Sequence, residues 1–269
     1  MEAINKTIRV FAPASSANLG CGFDVMGMAL DGIGDVLRIA ISEGDGLTIR
    51  NASAAELPKD IEKNVITPAV RAFMTAAGKK ACLEIVVEKK IRPGSGIGSS
   101  AASSAAAVFG LNELYGRPFP LPELVPFAME GEKLISGTAH ADNSAPAVMG
   151  GIVLIRGYQP LDMVRLPVPD SFCFSVIHPH IVVSTKAARD VLRKEIPMRE
   201  AVTQWGNVGG LVAGIMTGDL PLIGRSMRDV VAEPYRKGFI PGYDDLKSAC
   251  LAAGALCVVK VRRMASSLT

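Results

Sequence analysis

One stretch of sequence decides the fold: Arg-Pro-Gly-Ser-Gly-Ile-Gly-Ser-Ser-Ala-Ala-Ser-Ser-Ala-Ala-Ala-Val, residues 92–108. Glycine stands at every second position from Gly94 to Gly98. The Ala/Ser-rich half that follows suits a helix, because alanine is the best helix former. Upstream, Leu83–Lys89 is rich in β-branched side chains and predicts a strand. A strand, a glycine loop and a helix in that order aim free backbone N–H groups at an anion. The stretch therefore predicts a phosphate-binding loop.

The glycine pattern has a second interpretation, because Gly/Ser-rich runs are usually flexible linkers. The alanine run argues against a linker. The spacing nevertheless matches neither the Walker A loop, since no Gly-Lys-Ser/Thr follows, nor Gly-x-Gly-x-x-Gly. Both interpretations stay open on this stretch alone.

Composition limits the class of protein. The chain has 269 residues, of which 49% are hydrophobic and 20% charged, and its formal net charge is +3. One Trp and four Tyr give no aromatic and basic surface for nucleic acid. Five Cys without a Cys-x-x-Cys pair favour reduced thiols in the cytoplasm over disulfides or a zinc site. No run approaches the roughly 18 apolar residues of a membrane span.

The order of predicted elements indicates an α+β fold. Strands are predicted at residues 4–11, 35–42, 47–51, 83–89, 152–155 and 172–177, and helices at residues 65–77, 122–134, 200–216, 220–230 and 246–253. Asn64 is expected to cap the first of these helices. The Pro-containing segment 160–169 suggests a boundary, which gives domains at residues 1–165 and 166–269.

Two loops place polar groups among small residues. Residues 13–24 carry Asn18 and Asp24, and residues 136–146 carry His140 and Asp142. Asn18 and Asp24 have an ordinary interpretation as turn residues, and His140 one as a structural hydrogen-bonding residue. On composition alone, Glu132 belongs to a solvated helix face.

Three separated motifs can now be compared with known families: Pro13-x-Ser-Ser-Ala-Asn-Leu-Gly-x-Gly-Phe-Asp24, Gly96-Ile-Gly-Ser-Ser-Ala-Ala102, and Gly131-Glu132 followed by His140-Ala-Asp-Asn143. Together they resemble the GHMP-superfamily kinases, and among them the homoserine kinases most closely. They occur in order within residues 8–255, and their co-occurrence is far more specific than any one motif. The resemblance implies a two-domain GHMP-kinase fold, with an N-terminal ribosomal-S5-like nucleotide-binding domain and a C-terminal ferredoxin-like domain.

The resemblance also implies roles for individual residues. The ATP phosphates are expected at Pro93, Gly94, Ser95, Gly96, Ile97, Gly98, Ser99, Ser100 and Ala101. Glu132 and Ser100 are expected to hold Mg²⁺, which prefers hard oxygen ligands. The substrate is expected at Asn18, Asp24, Asn143, Thr185, Arg189 and Arg236, with Asp24 on the ammonium and the arginines on the carboxylate. Asp142 is the candidate to accept or orient the hydroxyl proton.

The expected activity is ATP- and Mg²⁺-dependent phosphorylation of the L-homoserine hydroxyl, a step towards threonine. It involves small-molecule partners only and allows a homodimer. Two alternatives remain: another small-molecule kinase of the superfamily, or a remnant that binds nucleotide or amino acid without turnover. The second alternative arises because the chain departs from the family after about residue 256. The family's third glycine-serine loop is missing from the basic tail, so we expect an incomplete second domain.

Overall fold

A six-stranded mixed sheet forms the centre of the computed structural model, which describes residues 6–54, 57–170, 172–177, 188 and 190–259. The strand order is β3-β4-β2-β5-β6, with β1 paired to β2. The strands are β1 (Lys6–Ala17), β2 (Met26–Ser42), β3 (Gly46–Asn51), β4 (Cys82–Glu88), β5 (Ile152–Tyr158) and β6 (Leu161–Leu166).

Strand β2 holds the sheet together. It pairs antiparallel with β1 along nearly its whole length, with β4 through Val36–Ser42, and with β5 through Met26–Met28. Both β1 and β2 are longer than predicted. Strand β1 continues past Pro13 because the register shifts between Pro13 and Ala14, and a bulge tolerates a residue that cannot donate to the ladder.

Four helices lie beside this sheet: α1 (Ile66–Ala76), α2 (Ser99–Leu114), α3 (Leu121–Ser136) and α4 (Ala141–Met149). Helices α2 and α4 pack against the strands, while α1 and α3 pack against the other helices. Helix α2 is central and almost entirely buried, which its Ala-rich sequence permits because small side chains let neighbouring backbones approach. Asn64 accepts a hydrogen bond from the Ile66 N–H at 3.0 Å, as expected of a residue that caps α1.

The second part of the chain is helical where the structure describes it. Its helices are α5 (Met198–Thr217), α6 (Leu220–Ser226), α7 (Glu233–Arg236) and α8 (Tyr243–Ala252). The strand predicted at residues 172–177 is wrong, since this segment has no regular structure. Strand β6 lies where a domain boundary was predicted, and α6 ends four residues earlier than expected. No strand occurs among residues 172–177 and 190–259, so the ferredoxin-like sheet stays a prediction.

The two parts meet at the loop that follows β1. Gln204 of α5 donates to the Cys21 carbonyl at 2.6 Å, and its own carbonyl accepts the Val230 N–H at 2.9 Å. A Cβ at Gly20 would lie 2.2 Å from the Met227 carbonyl oxygen, so glycine permits this contact. The helical part therefore covers the loop that carries Asn18 and Asp24.

Candidate active site

The glycine loop joins β4 to α2, as predicted. Gly94, Gly96 and Gly98 all have positive φ, at 77°, 86° and 68°. Gly98 is the residue before α2, and a Cβ there would lie 2.0 Å from the Ser15 Oγ. First-turn N–H groups of a helix have no acceptor within that helix, so the start of α2 offers donors to an anion. The loop thus has the geometry of a phosphate-binding site.

A buried ion pair anchors the base of this loop. Lys89 Nζ donates to Asp35 Oδ2 at 2.5 Å, to the Ser99 carbonyl at 2.8 Å and to Ser103 Oγ at 2.9 Å. Asp35 Oδ1 accepts two backbone N–H groups at 3.0 Å, from residues 90 and 91. Burial lowers the pKa of Lys89, and the contact with Asp35 opposes that shift. The pair ties β2 to both ends of the loop.

The carboxylate of Glu132 faces the start of α2. Ser100 Oγ donates to Glu132 Oε1, and Glu132 is only 4% exposed, so it does not lie on a solvated helix face. The preceding glycine explains this approach, because a Cβ at Gly131 would lie 2.1 Å from Ser104 Oγ. The structure therefore brings together the two residues predicted as metal ligands.

Helix α4 places Asp142 and Asn143 in its first turn, both of them buried. A Cβ at Gly27 would lie 1.6 Å from the Asp142 carbonyl oxygen, so α4 rests directly on the backbone of β2. Ser15 Oγ donates to Asn143 Oδ1 at 2.9 Å, and the Ser15 N–H donates to the Ile97 carbonyl at 3.1 Å. Asn143 is thereby joined to the phosphate loop.

The loop with Asn18 and Asp24 lies beside α4. Asn18 Oδ1 accepts the Asp24 N–H at 2.9 Å, which fits the turn role of Asn18. The Tyr158 hydroxyl donates to the Asp24 carbonyl at 2.8 Å and accepts the Ala141 N–H at 3.3 Å. Burial, the largest cause, raises the pKa of Tyr158 to about 12. His140 Nδ1 lies 3.6 Å from Asp24 Oδ2, so His140 is part of the site.

Arg236 reaches the same loop from α7. Its guanidinium carbon lies 5.0 Å from the centre of the Phe23 ring, and its Nε donates to the Ala188 carbonyl at 2.8 Å. Arg236 is 5% exposed, so the guanidinium is held within the protein. Thr185 and Arg189, the other two residues expected near the substrate carboxylate, lie outside the described residues.

A continuous run of contacts links the glycine loop to the loop that carries Asn18 and Asp24. It passes from Gly98 through Ser15 to α4, and from α4 through Tyr158 to the segment that precedes β2. Sequence analysis missed Asp35, Lys89, Ser15 and Tyr158. For Lys89, the signal was a charged residue between a buried strand and the glycine loop. Ser15 lies within the first motif but was given no role of its own, and Tyr158 gave no signal because tyrosine is common in strands.

The described residues, 6–259 with the gaps given above, contain no group of three or more His, Cys, Asp or Glu side chains arranged to hold a metal ion. Within the same residues, every helix is too short or too polar to cross a bilayer. A magnesium site built from one or two protein oxygens and substrate phosphates needs no such cluster.

Comparison with known proteins identifies the family. Residues 64–151 match the family model described as the GHMP kinases N terminal domain. A homoserine kinase of Chlorobium phaeovibrioides is 47% identical over 263 residues, 93% of this chain and 82% of that protein. The crystal structure of homoserine kinase from Cytophaga hutchinsonii matches with a TM-score of 0.87 and 47% identity, over 96% of this chain and 82% of that one. The crystal structure of L. major mevalonate kinase shares the fold. It matches with a TM-score of 0.67 and 16% identity, over 95% of this chain and 84% of that one. Taken with the site geometry, these matches establish that the chain belongs to the homoserine kinase family of GHMP kinases.

Proposed function

We propose that the chain transfers the γ-phosphoryl group of ATP to the side-chain hydroxyl of L-homoserine, forming O-phospho-L-homoserine for threonine biosynthesis. The observation that carries this proposal is the run of contacts between the phosphate loop and the Asp24 loop. These contacts join the start of α2 to α4, which carries Asp142, and to the loop that carries Asp24. Phosphoryl transfer needs positioning and charge neutralisation more than covalent help from the protein.

The ATP phosphates would lie on residues 93–101, where backbone N–H groups and the Ser100 hydroxyl supply donors. Ser100 and Glu132 would hold Mg²⁺, and they fit that ion because a hydroxyl and a buried carboxylate supply the hard oxygen ligands it prefers. When bound, Mg²⁺ neutralises the charge that develops on the phosphate oxygens. Glu132 positions the Ser100 hydroxyl and keeps negative charge beside the start of α2.

The amino acid would lie between Asp24 and Arg236. Asp24 would receive its ammonium group, and Arg236, with Arg189 and Thr185, would receive its carboxylate through the planar guanidinium fork. Asn143 would contact the reacting end, while Asn18 shapes the loop through its bond to the Asp24 N–H. The position of Arg236 over Phe23, the residue before Asp24, supports this arrangement.

In the reaction, the homoserine hydroxyl oxygen bonds to the γ-phosphorus while the bond from that phosphorus to the bridging oxygen of ADP breaks. The hydroxyl proton would pass to the Asp142 carboxylate, which is 1% exposed at the start of α4. ADP leaves with the electron pair of the broken bond. Asp142 then returns its proton to solvent as the phosphorylated product departs.

The division into domains at residues 1–165 and 166–269, the cytoplasmic location and a homodimer remain predictions. A domain boundary within residues 160–169 would have to follow β6, because β5 and β6 pair in one sheet.

The test is ADP formation by the purified 269-residue chain with ATP and Mg²⁺, with and without L-homoserine. We expect homoserine-dependent turnover, and we expect Asp142→Asn to lower kcat by about 10²–10⁴-fold. Asp162→Asn is the matched control, because Asp162 is a surface carboxylate paired with Arg156 on β5. Turnover of other alcohols but not homoserine would contradict the substrate. ATP binding without any turnover would indicate a non-catalytic protein.

A further inference from the structure

Ser15 lies at the junction of three parts of the site. It is fully buried in β1, two residues past Pro13, where the pairing with β2 shifts register. Its backbone N–H donates to the Ile97 carbonyl of the phosphate loop, and its hydroxyl donates to Asn143 Oδ1 of α4. Backbone and side chain of one residue thus hold two different elements.

Gly98 completes this junction. A Cβ on Gly98 would lie 2.0 Å from Ser15 Oγ and 3.1 Å from Asn143 Oδ1, so the serine hydroxyl and the amide oxygen both lie against the loop backbone. This packing against Gly98 limits where the Ser15 hydroxyl can move while it is bonded to Asn143.

The bond holds the Asn143 side chain in place beside the phosphate loop. An asparagine side chain carries an acceptor on Oδ1 and donors on Nδ2, so it can contact both a phosphate oxygen and a substrate hydroxyl. A serine hydroxyl can donate to Oδ1 or accept from Nδ2, so Ser15 fixes where the amide lies whichever of its ends faces the hydroxyl.

We propose that Ser15 is a positioning residue, which holds the Asn143 amide beside the phosphoryl group in transit between ATP and the substrate hydroxyl. This inference rests on the proposed function. Without the Ser15 hydroxyl, the Asn143 side chain loses this restraint, and the loop keeps its backbone contact because the Ser15 N–H remains.

The kinetic test uses Ser15→Ala, Asn143→Ala and the double variant. We expect Ser15→Ala to lower kcat about tenfold, a smaller loss than the about 10²–10³-fold typical of deleting a transition-state donor outright. The KM for ATP should stay within twofold. The double variant should be no slower than Asn143→Ala, since the hydroxyl acts through that amide. Losses that multiply in the double variant, or a Ser15→Ala kcat within twofold of the parent, would overturn the proposal.

Ser16→Ala is the matched control, because Ser16 is the next residue of β1 and also buried, at 4% exposure. It should leave kcat within twofold. A loss in Ser16→Ala equal to that in Ser15→Ala would show a general effect of cavities in β1.

A second readout separates this proposal from the proposed function. In ¹⁵N-asparagine-labelled chain, the side-chain amide signal of Asn143, identified by its loss in Asn143→Ala, should shift in Ser15→Ala and stay in place in Ser16→Ala. If the parent chain does not phosphorylate homoserine, the function fails while this signal still tests the bond. An unshifted Asn143 signal in Ser15→Ala would overturn the inference.

Discussion

Replacing Lys89 by Met should destabilise the whole protein, because it leaves the Asp35 carboxylate buried without its counter-charge. Asp35 is 0% exposed, and it would keep hydrogen bonds from the Ser103 hydroxyl and two backbone N–H groups. Breaking a buried ion pair from one side costs about 3–5 kcal/mol. Since three donors remain on Asp35, we expect a loss near the lower end, about 3 kcal/mol, which is roughly 6–12 °C in Tm for a chain of this size.

The measurement is equilibrium unfolding in urea without ligands. Lys90→Met is the control, because Lys90 is the exposed neighbour of Lys89, and a surface change should stay within about 0.5 kcal/mol. Adding Asp35→Asn to Lys89→Met removes the unpaired charge and should recover at least about 1 kcal/mol. A Lys89→Met loss no larger than that of Lys90→Met, or a double variant less stable than the single, would refute this account of the pair.

Three further predictions concern a thiol, the loop and the metal. Burial raises the pKa of the Cys21 thiol from 9.0 to about 12, so the stability that the neutral thiol contributes is complete below pH 9 and should be lost as the pH rises to 12. Cys21→Ala should flatten this part of the stability–pH curve measured by urea unfolding, and an unchanged slope would contradict the assignment. Gly98→Ala places a side chain on a residue whose φ is 68° and against Ser15 Oγ, so the loop must distort, and ATP binding measured by calorimetry should weaken by about 5–150-fold. Gly78→Ala, at a similar φ but in open space, should leave the affinity for ATP unchanged, and equal effects of the two variants would count against the loop. Glu132→Gln should raise the Mg²⁺ concentration needed for half-maximal activity about tenfold or more, while Glu130→Gln, on the exposed side of the same helix, should not. If activity depended on Mg²⁺ concentration identically in the two variants, Glu132 would not belong to the site.

The sequence predicted the parts of the fold that depend on local chemistry. Alternating glycines from Gly94 to Gly98 predicted the loop, since only glycine adopts positive φ at no cost, and the alanine run predicted α2. Asn64 was predicted as a helix cap from its residue type alone, and its side chain accepts the N–H two residues along the chain. Such signals need no knowledge of the rest of the chain.

Interactions between distant segments escaped prediction. Lys89 and Asp35 are 54 residues apart, and nothing in either neighbourhood shows that β2 and β4 will pair. The segment 172–177 has strand-forming side chains but no partner strand among the described residues, and β propensity without a partner does not make a strand. The opposite error occurred at β6. The prolines on either side of this strand indicated a boundary, but they lie outside the ladder, and the six residues between them pair with β5.

The close approach of Gly27 to the Asp142 carbonyl has a consequence for how the site opens. Because no side chain separates α4 from the backbone of β2 at this point, we expect the two elements to move together. Arg236 lies on a separate element, the four-residue helix α7. If product release limits turnover, we expect changes in the connections around α7 to alter the rate, while α4 stays fixed on the sheet.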